Sequence, residues 1–169
     1  NFIYNYALDK NNNYARILVS YNYQLKINNL NNSSSVLFRT KLIINSDSNS
    51  PDFEYVYLGG ENYVRGYYPN PTDNPEEITQ KLKFKNLLFQ SVQFEAPFTN
   101  NNLVKTKLLF FYDSAIGSTS YDQFSHNNKL KGYGWGISIE TANKMRFDIC
   151  IGLNHFGSRT IHFINNINS

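Results

Sequence analysis

The sequence predicts an all-β chain, an antiparallel transmembrane β-barrel portion of about eight strands, and three observations carry the prediction. Segment after segment separates at period two into an apolar and a more polar face. Several of these segments are far longer than the five or so residues usual for a strand of a globular protein, and match the roughly nine to eleven residues that a tilted strand needs to cross a bilayer. Short connections also alternate with long ones, the asymmetry of a barrel with tight turns on one side of a membrane and long loops on the other.

The elements follow in order. A stub from Phe2 to Leu8 precedes a segment in which Ala15, Ile17, Val19, Tyr21, Tyr23, Leu25 and Ile27 alternate with Arg16, Leu18, Ser20, Asn22, Gln24 and Lys26. From Val36, a second set (Val36, Phe38, Thr40, Leu42, Ile44) opposes Leu37, Arg39, Lys41, Ile43 and Asn45. Then Leu88, Val92 and Phe94 oppose Ser91, Gln93 and Glu95, and Val104, Leu108, Phe110 and Tyr112 oppose Lys105, Lys107 and Asp113. Tyr133, Trp135, Ile137 and Ile139 alternate with Gly132, Gly134, Gly136, Ser138 and Glu140. Met145, Phe147, Ile149, Ile151 and Leu153 alternate with Arg146, Asp148, Cys150, Gly152 and Asn154, and a short segment from Arg159 to Asn165 closes the series. The spans 15–27, 36–45, 86–97, 103–116, 131–141 and 145–155 are expected to form one antiparallel sheet of consecutive neighbours, with Tyr133, Trp135 and Phe147 facing lipid and Gly134, Asp148 and Cys150 facing the interior. Thr99 to Asn102 and Ala142 to Lys144 read as tight turns, Asp47 to Lys83 and Ser118 to Leu130 as long loops.

Composition fits the same class. Tyr and Phe contribute 13 residues each, against one Met and one Trp, and aromatic side chains favour a pleated surface. Asn clusters at 11–13, 31–32 and 100–102, where turns fall. The net charge of +3 is spread along the chain without the basic run or face that nucleic-acid binding requires. Cys150 is the single cysteine, so neither an internal disulfide nor a Cys-based metal site is available. His126, His155 and His162 lack ligand spacing and read as loop or surface residues. No apolar run reaches the ~20 residues of a membrane helix, and no stretch reads as a signal peptide. An alternating barrel strand escapes a hydropathy window, so the mean hydropathy of −0.48 does not argue for a soluble chain. No G-x-S-x-G and no lumenal Ser/His/Asp set is present, which argues against an enzyme. No catalytic residue, cofactor or metal is expected.

The long loop 47–83 holds Gly59-Gly60-Glu61-Asn62-Tyr63-Val64-Arg65-Gly66-Tyr67. This stretch resembles the G-G-x-x-x-V-R-G-[FY] signature of the BamA/FhaC-type outer-membrane polypeptide-transporting β-barrel superfamily. That superfamily takes in bacterial barrel-assembly proteins, two-partner-secretion transporters and mitochondrial and chloroplast outer-membrane relatives. Further pieces follow in the family's order. Gln93-Phe94-Glu95-Ala96-Pro97 is similar to its "E-x-P" strand, and Phe111-Tyr112-Asp113-Ser114-Ala115 to its "F-x-D-x-G" strand with Ala115 in place of Gly. Gly132-Tyr133-Gly134-Trp135-Gly136 is similar to its glycine-alternating strand, and Met145-Arg146-Phe147-Asp148-Ile149 to its "[IL]-R-x-D" strand. The resemblance spans roughly residues 36 to 165.

The resemblance implies that residues 1–169 are the C-terminal half of a barrel of about sixteen strands, completed by a longer chain or by another one. It implies that the extracellular loop 47–83 folds back into the lumen, with Gly59, Gly60, Val64, Arg65, Gly66 and Tyr67 as its motif and Glu95 and Asp113 as the lumenal partners of Arg65. Residue chemistry agrees, because both carboxylates fall on the polar face and a planar guanidinium can bridge two of them. Gly132, Gly134 and Gly136 would leave room for the loop. The implied partners are client polypeptides (unfolded outer-membrane or exported proteins) entering at a weak seam by strand addition, the lipid bilayer, and accessory subunits or the N-terminal half of the barrel. The implied location is the outer membrane of a bacterium, mitochondrion or plastid. The polar tail from Asn166 to Ser169 departs from the aromatic residue that closes bacterial members and points toward an organellar or divergent lineage. The competing reading is a passive pore or ligand-binding barrel, which has no use for the Arg65 loop.

Overall fold

The computed structural model describes residues 2–9, 14–29, 32–45, 55–69, 82–101, 103–119, 129–143 and 145–167. Among the described residues ten strands form: β1 (Phe2–Asp9), β2 (Tyr14–Asn29), β3 (Asn32–Asn45), β4 (Val56–Tyr57), β5 (Lys83–Phe84), β6 (Asn86–Asn100), β7 (Val104–Ser118), β8 (Lys129–Thr141), β9 (Met145–Asn154) and β10 (Arg159–Ile167). Eight of them make one antiparallel sheet in the order β1-β2-β3-β6-β7-β8-β9-β10. The long alternating segments therefore pair with their chain neighbours, as the sequence predicts. Among the described residues the sheet is open, with β1 and β10 at its two edges.

The strands reach beyond the alternation that reveals them. β2 and β3 hold 16 and 14 residues, and the closing segment, read as short, is a nine-residue strand. β4 and β5 were not expected; they pair as a small ribbon inside the segment read as a long loop. Of that segment, residues 47–54 and 70–81 lie outside the described residues, as do 120–128 of the second long loop, His126, Asn102, Lys144 and the last two residues of the polar tail.

Side-chain direction follows the pleat. Tyr133, Trp135, Ile137, Phe147, Ile149, Ile161 and Phe163 are exposed on one face, whereas Gly132, Gly136, Ser138, Asp148, Cys150, Thr160 and His162 are buried or backed on the other. Trp135 is 50% exposed and Cys150 is fully buried, which fixes the expected register. A broad exposed aromatic and aliphatic surface on a polypeptide of this size suits a lipid-facing wall. The opposite face, called inner below, carries residues 55–69.

Short connections use side-chain acceptors. Asn101 Oδ1 accepts from the amides of Leu103 (3.1 Å) and Val104 (2.7 Å), a local turn that returns β6 into β7. Asn154 Oδ1 accepts from Phe156 and Ser158, both at 3.0 Å, and Gly157 takes φ 84° to close the β9–β10 hairpin.

Candidate functional site

The register arranges the inner face in transverse rows. One runs Arg39, Ser91, Asp113, Gly132 and Asn154 across five strands. The next runs Leu37, Gln93, Phe111, Gly134, Gly152 and Thr160, and a third Ser35, Glu95, Leu109, Gly136, Cys150 and His162. Polar groups and glycines are thus concentrated where the motif residues lie.

Residues 55–69 lie on this face as a packed unit. Val64 N–H donates to Leu58 O (3.0 Å), Leu58 N–H to Leu82 O (2.9 Å) and Gly60 N–H to Tyr67 O (3.0 Å), which closes the motif on itself. Leu58, Val64, Tyr67, Leu82 and Phe84 join Ile43, Leu87, Phe89, Ala115 and Leu130 of the sheet in one buried apolar cluster. Each fully buried side chain of this kind contributes on the order of 1.5–3 kcal/mol. The cluster adds an apolar contribution to the seat of the segment. Gly59 comes so close to Tyr68 that an added Cβ would lie 2.2 Å from the Tyr68 carbonyl oxygen. Gly66 takes φ 116°, a left-handed conformation that glycine alone tolerates readily, and its added Cβ would meet Leu153 O at 2.7 Å.

Arg65 is 1% exposed and closes on β7. Its Nε and Nη2 donate to Asp113 Oδ2 (2.8 Å) and Oδ1 (2.9 Å), and its backbone N–H donates to Oδ2 at 3.0 Å. Nη1 donates to Gln93 Oε1 (2.6 Å) and Nη2 also to Ser91 Oγ (3.3 Å). The guanidinium lies 3.6 Å from the Phe111 ring centroid, a cation–π contact. This is a bidentate, fully buried pair, the geometry in which a guanidinium and a carboxylate offset their desolvation best.

Glu95 is placed differently from the reading that made it a partner of Arg65. It lies four residues along β6 from Ser91, about 13 Å at ~3.3 Å per residue, and Gln93 spans the gap, accepting from Arg65 and donating to Glu95 Oε1 at 3.0 Å. The cations on Glu95 are Arg146 (2.7 Å) and Lys107 (2.9 Å), and Ser35 Oγ donates to it at 3.4 Å. Arg146 also forks onto Asp148 at 2.8 and 3.0 Å. Arg146 was not singled out from the sequence; the signal was its two-residue spacing from Asp148, which puts both on one face.

The three glycines separate as well. Gly132 accommodates the motif directly: an added Cβ would lie 1.8 Å from Arg65 O. Those on Gly134 and Gly136 would meet β9 backbone (Ile151 O at 1.9 Å, Ile149 O at 2.3 Å), with the Phe111 ring beside Gly134 and Cys150 Sγ beside Gly136. Gly134 therefore makes space for the ring on which Arg65 rests, and Gly136 for strand packing. Gly152, not singled out, receives the motif instead, with Gly66 N 2.5 Å from its added Cβ.

The motif's far end rests on the last hairpin. Asn154 Nδ2 donates to Gly66 O (2.9 Å), and the Tyr67 hydroxyl and His155 Nδ1 are 3.0 Å apart. Burial pushes the Tyr67 phenol up from its ordinary value, so it stays neutral and able to donate. His155 is exposed, as a turn residue should be. His162, read as a surface residue, is instead buried on the inner face of β10, because its position has the inward parity of Thr160, whose hydroxyl is 2.8 Å from His162 Nε2. Its Nδ1 lies 4.0 Å from Glu61 Oε2.

No match was found among curated proteins. The family model described as the Omp85 superfamily domain matches residues 1–163, nearly the whole chain. The open antiparallel sheet, its lipid-suited outer face and its motif-covered inner face are those of a barrel wall, and the chain belongs to the Omp85 superfamily, whose members are outer-membrane β-barrels that insert or transport proteins.

Proposed function

We propose that this chain is the C-terminal half of a barrel that inserts client β-barrel proteins or translocates polypeptides, with the segment 47–83 folded from the extracellular side into the lumen as its internal plug. The observation that carries this reading is the Arg65–Asp113 pair. A loop guanidinium that makes four hydrogen bonds to three side chains and lies over an aromatic ring is held against the wall, and no such seat is needed in a passive pore. The inner face supports a lumenal assignment, since polar rows and charge networks there oppose an aromatic outer face. Unpaired strand edges in lipid cost several kcal/mol per orphaned group, so β1 and β10 are completed by further strands. Clients enter where that pairing is weakest, by hydrogen-bond exchange with no cofactor or catalytic group. Accessory subunits and the N-terminal half of the barrel are the remaining partners.

The test is Arg65→Ala in cells. Removing the guanidinium leaves Asp113 buried and uncompensated, a cost of about 3–5 kcal/mol that falls on the loop seat and leaves the sheet intact. Outer-membrane client proteins should fall in abundance while the variant itself remains membrane-inserted. Normal client assembly with altered ion conductance would identify a passive pore.

A further inference from the structure

Three carboxylates of the inner face are engaged: Asp113 by Arg65, Asp148 by Arg146, and Glu95 by Arg146 and Lys107. Arg39, on the same face of β3, has no carboxylate within 4 Å among the described residues. Its Nη2 donates to Ser91 Oγ at 3.2 Å and its guanidinium lies 5.9 Å from the Phe89 ring centroid. Ser91 Oγ also accepts from Arg65. Two guanidinium groups therefore converge on one neutral hydroxyl, and a single carboxylate, Asp113, serves only one of them. A guanidinium has five N–H donors, of which Arg39 uses one among the described residues.

Arg39 borders a cavity of about 190 Å³ whose wall also holds Arg65, Arg146, Gln93, Asn62, Asp148 and Glu61. A water occupies about 30 Å³ of liquid volume, so the space takes a small anion with several waters. Arg65 and Arg146 are already paired with carboxylates, so among the described residues Arg39 is the guanidinium on this wall with N–H donors left for an occupant, and its planar fork matches a carboxylate. Glu61 and Asp148 restrict the occupant to one negative charge, because a second would meet them.

We propose that this cavity is a binding site for one carboxylate, gripped by the free fork of Arg39. Both a small free carboxylate and the acidic side chain of a polypeptide threaded along the inner face offer that group. The site itself does not rest on the polypeptide-handling reading, and the two sources are told apart below.

The experiment is ligand-observed NMR with the protein in detergent micelles at constant ionic strength. The probes are acetate, the capped peptide Gly-Asp-Gly, its Gly-Asn-Gly counterpart and inorganic phosphate. Acetate and the Asp peptide should bind, the Asn peptide at least tenfold more weakly, and phosphate more weakly than acetate. Arg39→Gln should weaken acetate at least tenfold, Arg39→Lys should fall between, and Lys131→Gln on the exposed outer side should change nothing. An Asp peptide that binds tighter than acetate identifies a polypeptide ligand, and equal affinities identify a free carboxylate; both support the site. No acetate binding by the wild-type protein, acetate binding unchanged in a folded Arg39→Gln or Arg39→Lys variant, or phosphate bound more tightly than acetate would overturn the proposal.

Discussion

Gly132→Ala tests the fit between the motif and the wall by adding one methyl group. The added Cβ would lie 1.8 Å from Arg65 O and 2.9 Å from Val64 Cγ1. A carbon–oxygen contact needs about 3.3 Å, so the motif must withdraw by roughly 1.5 Å, since the strand on the other side is fixed by pairing to both neighbours. A shift of that size takes the 3.0 Å Arg65 N–H bond to Asp113 past hydrogen-bonding range and strains the bidentate pair behind it. Overpacking costs about 1–3 kcal/mol, and a weakened bond to a charged group adds on the order of 1.5–3 kcal/mol. The assay is the thermal midpoint of sheet unfolding in detergent, with protease cleavage of the loop read in parallel, for Gly132→Ala in the complete protein and after deletion of 47–83. The destabilisation and faster cleavage should be present in the complete protein, and the destabilisation should vanish when the loop is gone, a non-additivity that marks direct contact. Equal destabilisation in both backgrounds would refute the claim that Gly132 exists to admit the loop.

Other perturbations probe separate contacts. Asp113→Asn keeps one acceptor for Arg65 but turns an amide donor toward its other N–H groups; it should loosen the loop less than Arg65→Ala, measured by the same protease assay. Cys150 is fully buried, so a membrane-impermeant maleimide should label it slowly, and faster after deletion of 47–83; equal rates would mean that the loop does not shield it. Trp135→Arg puts a charge on the exposed face and should lower stability by about 2–4 kcal/mol at the bilayer midplane and less toward its edges, read by urea unfolding in lipid vesicles; no loss would place that face in water.

Period-two alternation made the sheet legible, because a one-residue slip would turn Trp135 inward and Gly134 outward. Register across strands was not legible, and the errors trace to it. Glu95 and Ser91 share parity on β6, so face counting could not tell that Ser91 is the residue beside Asp113 and that Glu95 belongs to Arg146 and Lys107. Gly152 pairs with Gly134 across β8–β9, and this pair of residues without side chains leaves the space into which Gly66 settles. The β4–β5 ribbon was missed because two-residue strands carry no period to read. His162 was missed because a polar residue on an inward position resembles one in a loop when its strand is read as short.

The most direct test of the central claim, a loop seated on the barrel wall by Arg65, is the guanidinium nitrogen to carboxyl carbon distance between Arg65 and Asp113, measured by solid-state NMR in lipid bilayers. The account predicts a short contact, consistent with the 2.8 Å nitrogen–oxygen pair, which is retained in Lys131→Gln and lengthened in Gly132→Ala. An Arg65 side chain that exchanges freely with water and shows no dipolar coupling to Asp113 would contradict it.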